Sequence, residues 1–209
     1  PESTTAAEET IQMVTEQNER LSKLVRTLLD MSELQTVARN DKIEIHSLIE
    51  EVLTDLEPLA QEKKVELIQK SQGTGEKADE ELFLTGSDIL IYRMLYNLVE
   101  NAIKYNDMDG WVHVSLNADH QFFFVRVEDS GIGIPKESQS RVFERFYRVD
   151  KARSRQTGGT GLGLSIVKNI ILMHHGTIKL YSEEGMGTTF TFRIPLNYVE
   201  SDDEDKNEN

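Results

Sequence analysis

The sequence predicts an α/β protein: a two-layer sandwich of strands and helices, preceded by one long α-helix. Three observations lead there. Residues 4–34 hold no Gly and no Pro, and their apolar residues fall at mixed spacings of 3, 4 and 7. Residues 41–196 then alternate short apolar strands with helices, and antiparallel strands of that kind need helices covering one face. Residues 200–209 are acidic nearly throughout and carry no apolar side chain, the composition of a disordered, solvating tail.

Each element has its own signal. Ile11, Val14, Leu21, Leu24, Val25, Leu28 and Met31 make an apolar stripe suited to helix–helix packing. A lone helix that long cannot bury the stripe against itself, so a partner is implied; folding back onto its own domain is the alternative. Residues 42–45 and 65–69 read as strands on either side of a helix at 47–61. A strand at 82–85 leads into a strong helix over 87–105, capped by Ser87 or Asp88. Residues 111–116 and 122–128 read as paired strands joined by a turn at 117–120. A helix near 164–174 is followed by a hairpin of 177–181 and 188–194, joined through Glu184-Gly185-Met186-Gly187.

Composition narrows the function. The chain has 209 residues, 23 Lys+Arg against 37 Asp+Glu, and a net charge of -14. That length can bury a real core, and the acidic balance argues against non-specific binding to DNA or anionic membranes. No apolar run approaches the ~18–20 residues that cross a bilayer. The first residues, Pro1-Glu2-Ser3-Thr4-Thr5, lack the basic and apolar regions of a secretion signal. With no cysteine, disulfides, thiol nucleophiles and iron–sulfur sites are excluded.

Three constellations carry chemistry. In the helix over 87–105, Asn97, Asn101, Lys104 and Tyr105 are spaced i, i+4, i+7 and i+8 and share a face. Leu95, Leu98, Val99 and Ile103 fill the apolar remainder. Amide oxygens can ligate Mg²⁺, while ammonium and hydroxyl groups can hold phosphate oxygens. Next, Val127-Glu128-Asp129-Ser130-Gly131-Ile132-Gly133-Ile134-Pro135 ends an apolar strand in a carboxylate and a Gly-x-Gly turn. Such a turn leaves room for a flat ligand, and the carboxylate can accept a hydrogen bond from an exocyclic amine such as that of adenine. Taken alone, Asp-Ser-Gly is also a common turn. Third, Gly158-Gly159-Thr160-Gly161-Leu162-Gly163-Leu164-Ser165 runs into a helix, exposing backbone N–H groups where the helix dipole favours anions. The P-loop ending, the dinucleotide fingerprint and the serine/threonine kinase signatures are all absent.

In that order and spacing, the three segments resemble the N, G1 and G2 boxes of the histidine kinase ATP-binding domain. Phe143-Glu144-Arg145-Phe146-Tyr147-Arg148 resembles the F box, and Gly185-Met186-Gly187-Thr188 the last glycine motif. The resemblance implies the Bergerat ATP-binding fold, a mixed sheet with helices on one face and ATP beneath a lid. It implies ATP and Mg²⁺ as ligands, with Asn101 on the metal and Asn97, Lys104 and Tyr105 at the phosphates or supporting the lid. Asp129 would accept the adenine amino group, Gly131 and Gly133 would let the base in, and Gly159, Gly161 and Gly163 would bring backbone donors to the phosphates. Ile134, Thr160, Leu162 and Thr188 complete the implied binding set. The lid, 148–161, is locally basic through Arg148, Lys151, Arg153 and Arg155, with Arg148 reaching the γ-phosphate. Asn97, Lys104 and Arg148 would be the catalytic residues.

The resemblance also sets the domains: 1–38 as the second helix of the dimerisation hairpin, 39–197 as the catalytic domain and 198–209 as the tail. Leu28-Leu29-Asp30-Met31-Ser32 looks like the end of that hairpin helix. The acceptor motif, His followed by an acidic residue and then Pro, is missing. His46, His113, His120, His174 and His175 all read as structural or exposed. The expected protein is therefore the cytoplasmic catalytic portion of a sensor kinase that begins at the second hairpin helix and does not phosphorylate itself. Its phosphoryl group would go to a histidine on the missing helix and then to a response regulator. The parent would be a homodimer anchored in the plasma membrane; this chain would be a monomer or weak dimer and would bind no nucleic acid. Rival classes are an ATP-hydrolysing clamp of the same fold, an anti-sigma serine kinase, and a non-catalytic nucleotide-binding module. The first two usually carry Glu at the position of Asn97, and an amide cannot serve as the base. Glu100, about 100° round the helix from Asn101, is expected to face outward.

Overall fold

The computed structural model describes residues 11–15, 17, 18, 21, 22, 25, 36–71, 82–149 and 160–196. Along them run β1 (Asp41–Glu44), α1 (Ile45–Lys63), β2 (Glu66–Ser71), β3 (Phe83–Gly86), α2 (Asp88–Lys104), β4 (Trp111–Ala118) and β5 (Phe122–Asp129). They continue through the short α3 (Lys136–Gln139), α4 (Gly163–Met173), β6 (Thr177–Glu183) and β7 (Gly187–Pro195). Five strands form one sheet in the order β2-β4-β5-β7-β6. β2 and β4 pair in parallel, and every other neighbour in it is antiparallel. β1 and β3 form a separate antiparallel ribbon.

The sheet buries alternate positions, as a pleated strand with one covered face must. Val112 and Val114 of β4, Phe123, Val125 and Val127 of β5, and Phe190, Phe192 and Ile194 of β7 point inward. Register places Phe123 opposite Ile194, Val125 opposite Phe192 and Val127 opposite Phe190. The rings of Phe123 and Phe192 meet edge to face, 6.0 Å apart. Against this layer lie Ile49, Val52 and Leu56 of α1, Ile91, Leu95 and Leu98 of α2, and Ile166, Val167 and Ile170 of α4, all within one hydrophobic cluster. Each such side chain contributes about 1.5–3 kcal/mol on leaving water, and this shared burial binds the two layers together.

The outer face of the sheet is mixed. Trp111 stacks on His113, ring centroids 3.9 Å apart, and Lys70 Nζ lies 3.0 Å from His113 Nδ1. Burial, and next the Lys70 charge, hold that imidazole below its ordinary pKa. Arg126 pairs with Glu128 at 2.7 Å.

Helix starts explain where the elements depart from expectation. α1 begins two residues before the expected 47 because Glu44 caps it, accepting from His46 N at 3.2 Å and Ser47 N at 2.6 Å. Burial alone would raise the Glu44 pKa, but the hydrogen bonds from Ser47 and His46 outweigh it and hold the carboxyl at about 2. Ser87 caps α2. β4 runs on through Ala118, shrinking the expected turn at 117–120. Asp119 Oδ1 makes the reversal by accepting from Gln121 N at 2.8 Å and Phe122 N at 2.7 Å. The expected strand at 82–85 joins the β1 ribbon and not the main sheet.

The described residues among 11–25 are helical, and Ile11, Val14, Leu21 and Val25 of the predicted stripe are exposed. Leu24, Leu28–Ser32, the acidic tail, and Lys151, Arg153, Arg155 and Gly159 lie outside the described residues. Among the described residues no helix is long and apolar enough to cross a membrane.

Candidate functional site

A cavity of about 440 Å³ opens between the polar face of α2, the segment after β5 and the start of α4. The helical spacing places Asn97, Asn101, Lys104 and Tyr105 on its wall together, as the sequence implied. Asn97 Nδ2 donates to Arg93 O at 2.8 Å, one turn back on α2. That bond assigns the amide: its oxygen points away from the helix backbone. Gly163 stands directly against this pair, since a Cβ there would lie 3.1 Å from Asn97 Oδ1 and 3.7 Å from Asn101 Nδ2. The first turn of α4 has no side-chain cap, so its N–H groups stay available to an anion beside the two amides. Thr160, Gly161 and Arg148 line the same end.

Asp129 lies at the other end, where β5 stops. Its Oδ1 accepts from Gly131 N at 2.9 Å and Thr188 N at 3.2 Å, and its side chain lines the cavity. Burial raises its pKa to about 6, against the lowering effect of those two N–H donors. Both bonds fall on one oxygen, and Oδ2 takes no hydrogen bond from the described residues. Gly133, Ile134 and Thr188 also line the wall.

Of the two glycines after Asp129, Gly133 lines the cavity and Gly131 does not, and both also lie close against backbone. A Cβ on Gly131 would sit 2.3 Å from Tyr105 O, and one on Gly133, at φ +68°, 2.0 Å from Glu183 O. The close approach they permit there is to the protein's own backbone. Leu162 likewise belongs to the hydrophobic core, fully buried, and not to the cavity wall; its apolar side chain anchors the glycine-rich stretch.

Glu100 corrects a second expectation. It lines the cavity and pairs with Lys104 at 2.8 Å, because a Lys four residues on can reach back to it across one turn. Glu100 is the carboxylate of α2 that lines the cavity. Arg93 and Tyr147 also line the site. Arg93 was legible as the residue one turn before Asn97; Tyr147 gave no signal of its own beyond the motif it sits in. None of the five histidines lines the cavity. Among the described residues no three His, Cys, Asp or Glu side chains cluster to hold a metal ion by themselves.

A helix face rich in amides, an unsatisfied carboxylate oxygen at a strand end and an uncapped glycine-rich helix start, all around one cavity, define an ATPase-like nucleotide-binding sandwich. Residues 86–198 match the family described as histidine kinase-, DNA gyrase B-, and HSP90-like ATPase, and the chain belongs to that family. It is 38% identical over 182 residues to the sensor-like histidine kinase SenX3 of Mycolicibacterium smegmatis, covering 86% of this chain and 46% of that protein. It is 37% identical over 199 residues to the sensor histidine kinase WalK of Bacillus subtilis, covering 93% and 32%. The fold matches that of histidine kinase ThkA, solved in complex with response regulator protein TrrA, with a TM-score of 0.67 and 25% identity over 88% of this chain and 50% of that one. The chain thus spans less than half the length of these two curated relatives and corresponds to the ATP-binding catalytic domain of sensor histidine kinases.

Proposed function

We propose that the chain binds Mg-ATP in the cavity beside α2 and donates the γ-phosphoryl group to a histidine on a segment it does not itself supply, for onward transfer to a response regulator. The observation carrying this reading is the pairing of Asp129, with one acceptor oxygen left, with the Asn97–Asn101–Gly163 corner across one cavity. The adenine amino group would meet Asp129 Oδ2. The phosphates would meet the first turn of α4, with Lys104, Tyr105, Thr160 and Arg148 around them. Mg²⁺ fits the hard amide oxygen of Asn101 together with phosphate oxygens and water, a donor set that this ion accepts. Bound there, it would neutralise charge on the phosphates during transfer. The protein's own contribution is positioning and a preorganised set of donors.

Neither His46 nor His174 suits the acceptor role. His46 Nδ1 lies 3.2 Å from Glu44 Oε1, and His174 is buried between two helices with both ring nitrogens engaged. Residues 1–38 would then be one helix of a dimerisation hairpin, 39–197 the catalytic domain and 198–209 a solvated tail. The parent would be a homodimer anchored in the plasma membrane with this domain in the cytoplasm.

The test is incubation with Mg²⁺ and γ-labelled ATP. The expected outcome is nucleotide binding without acid-labile, alkali-stable label on the chain. Such label appearing here would make one of the five histidines an acceptor and overturn the assignment. Absence of ATP binding would overturn the nucleotide reading as a whole.

A further inference from the structure

Asp129 does not fix its own direction. Its Oδ1 takes the N–H groups of Gly131 and Thr188, which belong to a loop and to the start of a neighbouring strand. Those two segments are tied together by two side chains that do not line the cavity, Ser182 and Gln139. Ser182 Oγ accepts from Ile134 N at 2.8 Å and lies 2.9 Å from both Gly187 O and Thr188 Oγ1. A hydroxyl has one proton and two lone pairs. Its proton must go to the Gly187 carbonyl, which cannot donate, so the Thr188 hydroxyl donates to Ser182 and the full capacity of Ser182 is used. Gln139 Nε2 spends both its protons as well, on Ile134 O at 2.8 Å and Ser182 O at 2.9 Å. Ile134 is therefore gripped at its N–H by one side chain and at its C=O by the other.

We propose that Ser182 and Gln139 are positioning residues for base selectivity: together they hold Ile134 and Thr188 so that the open oxygen of Asp129 points at a 6-amino purine. This rests on the reading of the cavity as an ATP site. A purine with a 6-oxo group turns lone pairs toward that carboxylate oxygen, and a site built around a fixed acceptor rejects it. Loosening the frame lets Asp129 swing, which removes the advantage of the amine without touching the phosphate end. Neither residue is needed to fill space in the core, since both are part-buried at its edge.

The experiment is calorimetric titration of the whole chain with ATP and with inosine triphosphate, both with Mg²⁺. Wild type is expected to prefer ATP. Gln139→Leu and Ser182→Ala are each expected to weaken ATP about tenfold and inosine triphosphate less than about twofold, with a double variant little worse than either because both act through Ile134. Ser182→Thr, which keeps the hydroxyl, is expected to retain the preference. Equal weakening of both nucleotides, or an unchanged ratio, would overturn the proposal. Should Gln139→Leu fail to fold, Gln139→Glu carries the same test, because a carboxylate facing two carbonyl oxygens lacks the protons they need. Wild type that binds neither nucleotide would sink the ATP reading itself. Wild type that binds ATP, beside variants of unaltered preference, would sink only the clamp.

Discussion

In the proposed site a single carboxyl, that of Asp129, would set both stability and recognition. Burial raises its folded pKa to about 6, above the value near 3.9 of an unfolded chain. The folded state therefore binds more protons between those values: ionised Asp129 costs stability above pH 6, and the cost is relieved as pH falls through 6. Recognition runs the other way, because only the ionised form offers Oδ2 purely as an acceptor. ADP affinity is expected to fall about tenfold between pH 7.5 and pH 5 beyond any change seen in Asp129→Asn, which binds weakly at both. Calorimetry checks this, and equal pH profiles for the two proteins would remove Asp129 from the base contact. The sequence marked this residue correctly, as a carboxylate at a strand end. It did not separate Gly131, which does not line the cavity, from Gly133, which does, because a pattern of small residues shows that something comes close but not whether it is ligand or backbone. Glu100 was misplaced for a related reason: helical angle gives a direction, while the pull of Lys104 bends a long side chain off it.

Between elements, His174 joins the end of α4 to the start of α2. Its Nδ1 lies 2.9 Å from Ile170 O, and its Nε2 accepts from Ser87 N at 3.2 Å. Only the neutral Nδ1–H tautomer can do both, and burial, foremost, pushes the imidazole pKa down. The pKa is depressed below 6.5, so the unfolded chain takes up a proton first. The stability His174 provides is present above pH 6.5 and is lost as pH falls below it. His174→Ala is expected to cost about 1–3 kcal/mol at pH 7.5 and less at pH 5.5, read from urea unfolding at both. A cost that grows on acidification would refute the assigned tautomer. That this histidine is structural was readable from its place at a helix end. Its partner, 87 residues earlier, was not, because nothing local in a sequence reports a contact of that range. The same limit hid the β1–β3 ribbon and the parallel β2–β4 pairing, whereas the two hairpins, being local and alternating, were read to within two or three residues.

Across the molecule, the sandwich closes on itself. Thr85 N donates to Leu196 O at 3.2 Å and Leu196 N to Gln121 O at 2.8 Å, so the end of β7 is stitched to β3 and to the β4–β5 turn. The core runs from Val37 to Leu196 and draws on no described residue before Val37. A chain of residues 36–196 alone is therefore expected to unfold within about 2–4 °C of the full chain, a shift of roughly 1 kcal/mol, and to bind ATP equally well. A tenfold loss of affinity would show that the N-terminal helical residues complete the site. The global reading was legible because five motifs lie in order along one chain; the way they close around one cavity needed the pairings that sequence does not reveal.

The lone tryptophan gives the sheet an optical reporter. Its backbone sits in the same joint as Asp129: Trp111 N donates to Ser130 Oγ at 2.8 Å and Trp111 O accepts from Asn106 Nδ2 at 3.0 Å. Its indole lies on the far side of the sheet against His113, a ring that quenches emission when it takes a proton. Fluorescence from one native chromophore can thus follow, without any attached dye, the charge on the His113 ring at the sheet's outer surface.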